Sequence, residues 1–178
     1  MRIIAGSRKG ARISAPKGRD TRPTSDRARE AAFNLIGPVE DAAVLDLFAG
    51  SGAMGLEALS RGARRCVFVE SERDAVRTIE RNLEKLRLSG ATVLRMDVRA
   101  ALAAEARSAR RYDLVLVDPP YGMFPSAQTA LASYLPAVLA EDGLVVVETS
   151  ATEAPELPLA VRTTRRYGST RLTVFEHE

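Results

Sequence analysis

From residue 43 onward, short apolar runs alternate with segments of helical periodicity, and this alternation restricts the fold more than any other feature of the chain. Each run has the length of a buried strand, and each helical segment can cross back over a sheet. The repeats predict a parallel, doubly wound α/β sheet with right-handed crossovers. The predicted strands are residues 44–48, 66–69, 92–96, 112–117 and 144–147, and helices are predicted at 52–61, between Ser71 and Gly90, up to about residue 108, and at 126–140.

The two ends of the chain add antiparallel elements to this pattern. Residues 161–167 and 171–175 predict a closing hairpin, which brings the mostly parallel sheet to seven strands. Residues 2–6 and 11–14 predict a small N-terminal β-hairpin extension. A helix over 27–36 follows, with Thr24 as its N-cap. We therefore divide the chain into an arm, residues 1–23, and a main domain, residues 24–178; the predicted inner face of the first helix is Ala28, Ala31, Ala32 and Leu35.

The net charge of +3 is unevenly distributed. Residues 1–29 carry nine basic and two acidic side chains, whereas the rest of the chain has a net charge of −4. A cationic arm on a mildly acidic body indicates a polyanionic partner, with a solvated surface tail as the alternative. No apolar run approaches the roughly 20 residues of a membrane helix, and no apolar leader follows Met1. We expect a cytoplasmic monomer without a membrane segment, in which the single cysteine, Cys66, forms no internal disulfide.

Asp46 and a run of glycines follow the first predicted strand. The glycines of segment 46–55 allow a sharp turn and a close approach of the backbone to a ligand. The segment also contains the Gly-x-Gly-x-x-Gly pattern of dinucleotide-binding proteins. A carboxylate at Asp46 would repel a pyrophosphate but suits the cationic amino group of S-adenosylmethionine. The segment resembles the first motif of class I methyltransferases; the candidate cofactor contacts besides Asp46 are Phe48, Ala49, Gly50 and Gly52.

Carboxylates also end the second and third predicted strands. Glu70, beside Ser71, can accept hydrogen bonds from both hydroxyls of a ribose in either cofactor. Asp97, with the backbone amide of Val98, is the candidate for the adenine ring of S-adenosylmethionine. Two structural alternatives stay open, since Glu70 could be a helix-start charge and Asp97 a helix N-cap. Ser71 is also the predicted N-cap of the helix that follows the second strand.

The tetrapeptide Asp118, Pro119, Pro120 and Tyr121 follows the fourth predicted strand, at the edge where ligands bind in such sheets. An amine on a base ring is a poor nucleophile because its lone pair is delocalised. The Asp118 carboxylate and the Pro119 carbonyl can accept its two N–H groups and localise that lone pair, while Pro120 stiffens the turn. Tyr121 offers a ring for base stacking. This chemistry requires no metal; a merely rigid turn is the structural alternative.

These segments together resemble the bacterial 16S ribosomal RNA guanine-N2 methyltransferases named for guanine 966. The resemblance extends over essentially the whole chain, and residues 22–30 and 45–62 are the parts that separate this family from other enzymes that share the 118–121 motif. It implies a Rossmann-like class I methyltransferase domain and S-adenosylmethionine as methyl donor, with S-adenosylhomocysteine as product. It also implies 16S ribosomal RNA as partner, within a small-subunit assembly particle, with guanine N2 as the methyl acceptor.

The resemblance gives the basic arm a function. An arm packed beside the active site would hold RNA phosphates while the target base enters the pocket. Each basic side chain could instead be a solvated surface charge. The candidate RNA contacts are Arg2, Arg8, Lys9, Arg12, Arg22, Thr24, Arg27 and Arg29.

Three other functions are compatible with parts of the pattern. A DNA adenine-N6 methyltransferase acts on the same kind of amine, although the chain shows no additional target-recognition domain. An NAD-dependent oxidoreductase would use the glycine segment and Glu70. A noncatalytic RNA-binding assembly factor would keep the fold without the reaction, which the intact Asp118 to Tyr121 segment argues against.

Overall fold

The computed structural model describes residues 1–16 and 26–178, and within them the chain forms five helices and seven strands. The helices are α1 (Asp26–Ile36), α2 (Ala53–Ser60), α3 (Arg73–Leu86), α4 (Val98–Arg107) and α5 (Phe124–Val138). The strands are β1 (Ala43–Leu47), β2 (Arg65–Glu70), β3 (Ala91–Arg95), β4 (Tyr112–Val117), β5 (Leu139–Ser150), β6 (Ala160–Tyr167) and β7 (Thr170–Glu176). None of these helices is long and apolar enough to cross a membrane.

The seven strands form one sheet in the order β3-β2-β1-β4-β5-β7-β6. Strands β1 to β5 are parallel to their neighbours, while β7 is antiparallel to both β5 and β6. This confirms the predicted doubly wound, Rossmann-like sheet with its closing hairpin. The strand order reverses between β1 and β4, so the carboxyl ends of these two strands flank the crevice where such sheets bind ligands.

Each face of the sheet is covered by its own helices. On one face, α1, α2 and α3 bury side chains such as Phe33, Leu56 and Ile79. On the other face, α4 and α5 bury Leu102 and Leu131. Because side chains alternate between faces along a strand, the face of each strand residue can be assigned from these two cores.

Strand β5 begins five residues earlier than predicted, at Leu139. Leu139 pairs with Tyr112, and the register then shifts before Leu144 pairs with Leu114. Gly143 occupies this irregularity, where an added Cβ would lie 2.9 Å from the Tyr112 carbonyl oxygen. The exposed, polar Glu141 and Asp142 concealed the early start of the strand in the sequence.

The N-terminal arm contains less regular structure than predicted. The two expected strands are reduced to one antiparallel bridge between Arg2 and Arg12. The arm nevertheless packs on the body, because Ile3 and Ile13 are buried in the core beneath α1, α2 and α3. The proposed domain boundary at 23/24 lies outside the described residues, as do the predicted contacts Arg22 and Thr24.

Candidate active site

The turn between β1 and α2 has the sharp backbone that its glycines predict. Gly50 and Gly52 have φ angles of 57° and 80°, and Phe48 also has a positive φ of 58°. The Gly52 amide donates to the Ala49 carbonyl at 2.7 Å. Gly55, in the first turn of α2, has a packing role, since an added Cβ would lie only 2.3 Å from the Phe68 ring. The segment therefore brings α2 close to β2 and points the helix N-terminus toward the carboxyl ends of the strands.

Asp46 lies beneath this turn and is almost completely buried, with 2% of its surface exposed. Its Oδ2 accepts a hydrogen bond of 3.0 Å from the Gly55 amide. Burial raises the pKa of Asp46 to about 8, and the negative charges of Asp118 and Glu70 add to the rise, while the Gly55 bond opposes it. A cation placed beside Asp46 would relieve this unfavourable charge.

Glu70 ties the glycine turn to the end of β2. Its Oε2 accepts from the Gly50 amide at 2.8 Å, and its Oε1 accepts from the Glu72 amide at 2.9 Å. The Glu70 carbonyl also accepts from the Met96 amide, so this residue joins the ends of β2 and β3 to the turn after β1. Each carboxylate oxygen keeps a second lone pair that a ribose hydroxyl could use.

The structure corrects one detail beside Glu70. The N-cap of α3 is Glu72 and not Ser71, which is exposed and lies before the helix. The bond from the Glu72 amide to the Glu70 side chain extends the turn by one residue and delays the start of the helix. Ser71 remains a candidate ribose contact only by its position next to Glu70.

Asp97 is the N-cap of α4, as its structural alternative predicts. Its Oδ1 accepts a 2.8 Å bond from the Arg99 amide, and its side chain is at the surface. Val98, the first residue of α4, is buried. Arg99 in turn donates to the Ser126 carbonyl, which ties the start of α4 to the start of α5. A role for Asp97 and Val98 toward adenine stays a prediction.

The Asp118 turn lies directly beside the glycine turn. Val117 pairs with Leu47, so the residues that follow β4 and β1 are neighbours across the switch in strand order. Leu114 and Leu116 face the same core as α2, and alternation places Asp118 on that face with Asp46 and Glu70. Three carboxylates therefore converge at one edge of the sheet, where the negative charges of Asp118 and Glu70 add to the effect of burial on the pKa of Asp46.

The rest of the tetrapeptide is progressively more open to solvent. Pro119 is half-buried, Pro120 is exposed, and Tyr121 is 90% exposed. The Met123 amide donates to the Pro120 carbonyl at 2.9 Å, which closes the turn. Tyr121 therefore has an aromatic ring in contact with solvent next to the three carboxylates, where a planar base could stack on it.

Two predicted RNA contacts have structural roles instead. Arg29 is fully buried, where its guanidinium forms ion pairs with Glu57 and Asp26 and donates to the Arg2 carbonyl. We therefore withdraw Arg29 as an RNA contact, because it has no surface for a phosphate to reach. Arg8 donates to the carbonyls of Leu86 and Arg87 at the end of α3, where a cation stabilises the helix terminus.

The basic turn of the arm, residues 7–10, lies farther from the cofactor crevice than expected. It packs against the C-terminal end of α2, where Ser7 and Arg8 donate to Ser60 and an added Cβ on Gly6 would overlap the Ser60 carbonyl. Because α2 runs away from the glycine turn, this end lies about 12 Å from the cofactor crevice. The basic turn is therefore not beside the candidate active site. The candidates that keep exposed side chains are Arg2, Lys9, Arg12 and Arg27.

Asn82 connects the arm to the glycine turn and was not predicted from the sequence. This α3 side chain is 1% exposed. Its Oδ1 accepts from the Ser14 amide, and its Nδ2 donates to the carbonyls of Ser14 and Ser51 at 3.0 and 3.1 Å. The sequence contains a signal for it, because Asn82 lies three residues after Ile79 and four before Leu86 on the apolar face of α3.

The single cysteine and the single histidine of the chain lie away from this edge. Cys66 is buried in β2, and burial raises the pKa of its thiol, which disfavours the reactive thiolate. His177 lies near the end of the chain, with its ring next to the Leu139 carbonyl. Over residues 1–16 and 26–178, no group of three or more histidine, cysteine or acidic side chains is arranged to hold a metal ion.

Comparison with known proteins agrees with this geometry. "Putative rRNA methyltransferase YlbH" of Bacillus subtilis is 40% identical over 183 residues, which cover 99% of this chain and 98% of that protein. "Ribosomal RNA small subunit methyltransferase D" of Escherichia coli K12 is 37% identical over 149 residues, covering 83% and 74% of the two chains. The solved structure "Putative methyltransferase yhhF" from Escherichia coli superposes with a TM-score of 0.86 at 33% identity, covering 100% of this chain and 98% of that one.

These similarities confirm the class I methyltransferase fold and the family resemblance that the sequence motifs predicted. The family described as "Conserved hypothetical protein 95" matches residues 1–176, so the chain belongs to that family.

Proposed function

We propose that this protein transfers a methyl group from S-adenosylmethionine to the exocyclic N2 amine of a guanine in 16S ribosomal RNA, during maturation of the small ribosomal subunit. The observation that carries the proposal is the convergence of the Asp118 turn and the glycine turn at the switch in strand order, on one face of the sheet. The names of the relatives support ribosomal RNA as the substrate class.

The buried carboxylate at Asp46 supports S-adenosylmethionine as the methyl donor. Burial raises the pKa of Asp46 because it disfavours the ionised carboxylate, and the ammonium of the methionine moiety would stabilise that ionised form. In this proposal Glu70 and Ser71 would bind the ribose, and Asp97 and Val98 would bind the adenine ring. Phe48, Ala49, Gly50 and Gly52 form the backbone turn that the donor contacts. When bound, the donor supplies an electrophilic methyl group on a sulfonium.

The residues of the Asp118 turn activate the acceptor. The Asp118 carboxylate and the Pro119 carbonyl accept the two N–H groups of the amine, which localises its lone pair for in-line attack on the methyl carbon. These two oxygens would also stabilise the positive charge that the nitrogen gains when it accepts the methyl group and the sulfonium becomes a neutral thioether. The proton of the methylated amine leaves to Asp118 or to a water molecule. Tyr121 stacks on the guanine while Pro120 keeps the turn rigid.

The partner in this proposal is 16S ribosomal RNA within an assembly particle in the cytoplasm, bound by a monomer of the protein. Its phosphates meet exposed cations of the arm and of α1. These cations are Arg2, Lys9, Arg12 and Arg27, with Arg22 and Thr24 as further candidates in the part of the chain that the structure leaves out.

Mass mapping of methylated nucleotides tests the proposal. The purified protein would be incubated with isotopically labelled S-adenosylmethionine and, separately, with naked 16S ribosomal RNA, small-subunit particles and duplex DNA. We expect label on one guanine, as N2-methylguanine, in the ribosomal substrates, and no label with Asp118→Asn. Label on adenine N6 of DNA would replace the proposal with the DNA methyltransferase. Binding to RNA without transfer would replace it with a noncatalytic assembly factor.

A further inference from the structure

The C-terminal hairpin forms a second cationic surface, which the charge distribution of the sequence did not reveal because most of the excess basic charge lies in the arm. Residues 160–172 contain four arginines and no acidic residue, although the chain beyond residue 29 is acidic on average. Arg165, Arg166 and Tyr167 form the end of β6, and all three are exposed; we name them the hairpin tip. We propose that the hairpin tip is an RNA-binding surface that holds backbone phosphates next to the target nucleotide, an inference that rests on the proposed function.

The strand register places the hairpin tip at the same edge of the sheet as the three carboxylates. Ser150, at the carboxyl end of β5, pairs with Thr170, and Thr170 pairs with Tyr167. The turn after Tyr167 is fixed to this edge by a 2.8 Å bond from the Ala151 amide to the Ser169 carbonyl. Three strand spacings separate β4 from β6, or about 14 Å, which a few nucleotides of RNA can span.

Part of the hairpin tip also lies on the same face of the sheet as Asp118. Arg165 pairs with Leu172, which is buried in the core under α1 and α2, so Arg165 and Tyr167 face the same side of the sheet as Asp118. Helix α1 packs against β5 and β7 on that side, and its exposed Arg27 lies near the start of the helix. Helix α1 ends only seven residues before β1 begins, so its C-terminal end lies near the amino edge of the sheet. Its N-terminal end therefore points toward the carboxyl edge. Arg27 therefore lies at the same edge as the hairpin tip and on the same face as Arg165 and Tyr167.

The arrangement of charges indicates an anionic partner. Arg166 lies directly opposite Arg171 in the antiparallel pair, and like charges in this position destabilise a hairpin. The Arg171 guanidinium donates to the Ala151 carbonyl, while Arg166 has no side-chain partner among residues 1–16 and 26–178. Within the described part of the chain, the Arg165 side chain donates only to the carbonyl of its neighbour Thr164. Arg166 and Arg171 face the opposite side of the sheet from Arg165, and β6 is the edge strand, so an RNA backbone that crosses this edge can reach both faces. A phosphate held by Arg166 and Arg171 would offset their repulsion, while on the other face Arg165 could bind a second phosphate and the exposed Tyr167 ring could stack on an adjacent base.

The test is the salt dependence of RNA binding by the full chain. Fluorescence anisotropy would measure the affinity of the protein for a labelled single-stranded 16S ribosomal RNA fragment from 50 to 200 mM KCl. The fragment contains the target guanine in its unmethylated form. Loss of two phosphate contacts in Arg165→Ala/Arg166→Ala should reduce the slope of log K against log salt by about 1.4 and weaken binding on the order of tenfold. We expect a higher KM for RNA with kcat and S-adenosylmethionine affinity unchanged.

Two variants serve as controls for charge and folding. Arg64→Ala/Arg107→Ala removes the same charge from exposed positions at the opposite edge of the sheet and should leave the slope unchanged. Arg165→Lys/Arg166→Lys keeps the charge and should retain most of the affinity. A wild-type protein that neither binds nor methylates RNA would remove the proposed function and this inference together. If the wild type binds RNA and the double alanine variant keeps its slope, only the hairpin tip is refuted. If that variant aggregates through the exposed β6 edge, the neutral but polar variant Arg165→Gln/Arg166→Gln replaces it, and an unchanged slope there refutes the hairpin tip.

Discussion

The raised pKa of Asp46 makes the affinity for S-adenosylmethionine depend on pH. Below pH 8 the buried carboxyl group is mostly protonated in the ligand-free protein, whereas the ligand's ammonium requires it ionised. Apparent affinity then scales with the ionised fraction, which is about 1% at pH 6.0 and about 24% at pH 7.5 for a pKa of about 8. We expect the association constant to rise about 15-fold over this range, because an α-amino group with a pKa of about 7.8 loses about a third of its protons by pH 7.5 and this opposes part of the gain at Asp46.

Isothermal titration calorimetry measures this effect directly. Titrations at pH 6.0 in buffers of different ionisation enthalpy should show release of nearly one proton per ligand bound. Asp46→Asn keeps an acceptor for the Gly55 amide, so it should fold, bind the ligand weakly, and lose both the pH dependence and the proton release. Adenosine, which has no ammonium, should bind wild type without pH dependence. A wild-type affinity that stays constant from pH 6.0 to 7.5, with no proton released, would refute the role assigned to Asp46.

The same pKa fixes the sign of a stability effect. The folded-state pKa of Asp46 lies above its unfolded value of 3.8, so the native state binds the additional proton between about pH 4 and pH 8. The ligand-free protein should therefore lose stability as pH rises through this window, and Asp46→Asn should show a flatter profile in thermal unfolding. A wild-type profile no steeper than that of Asp46→Asn would place the carboxyl in a more polar environment than the structure shows.

Three further substitutions test individual parts of the site. Asp118→Asn should lower kcat by at least about 100-fold with little change in donor affinity, measured by radiolabel transfer and calorimetry; normal turnover would exclude Asp118 from the reaction. Gly55→Ala should destabilise the fold by about 1–3 kcal/mol in urea unfolding through the contact with Phe68, whereas helix propensity alone would stabilise it. Asn82→Ala should lower the free energy of unfolding by about 2–4 kcal/mol and weaken donor binding through Ser51, and an unchanged affinity would uncouple the arm from the glycine turn.

Strand positions and the convergence of the carboxylates could be predicted from the sequence because both depend on local pattern. Apolar runs identified five parallel strands, and the residues just after them include Glu70, Asp97 and Asp118. These features follow from two facts about strands, their period of two and the common direction of parallel neighbours, so a single sequence suffices. That Asp46 and Asp118 share a face was not predicted, because it depends on the register between β1 and β4 and on which core each strand faces.

Long-range contacts could not be predicted in the same way. The inner face of α1 was expected at Ala28, Ala31, Ala32 and Leu35, but the buried residues are Ala28, Arg29, Ala32, Phe33 and Ile36. The buried positions 29, 32, 33 and 36 have the spacing of one helix face. The charged side chain at position 29 nevertheless suggested that this face is exposed to solvent. Arg29 is buried because Glu57 of α2 pairs with it, and nothing near residue 29 in the sequence indicates that partner.

The buried Glu57 also changes how the basic arm should be understood. Its two carboxylate oxygens accept the amides of Ile4 and Ala5, and it pairs with Arg29 and Arg61. Removing the arm would leave this charge without its two backbone donors, so the arm is required for the stability of α2 before it can contribute to RNA binding.

Removing charges at the turn of the arm therefore tests fold stability at one residue and RNA binding at another. Arg8 stabilises the end of α3, so its removal should lower the stability of the fold. Removal of the exposed Lys9 should lower only the affinity for RNA. The turn also lies about one length of α2 from the carboxylates. An RNA that contacts both must run along α2 from the carboxyl edge to the turn, while its other flank reaches the hairpin tip. The chemistry then lies between two cationic surfaces, which explains how an acidic crevice can receive a polyanion: the phosphates remain on either side, and only the uncharged base enters.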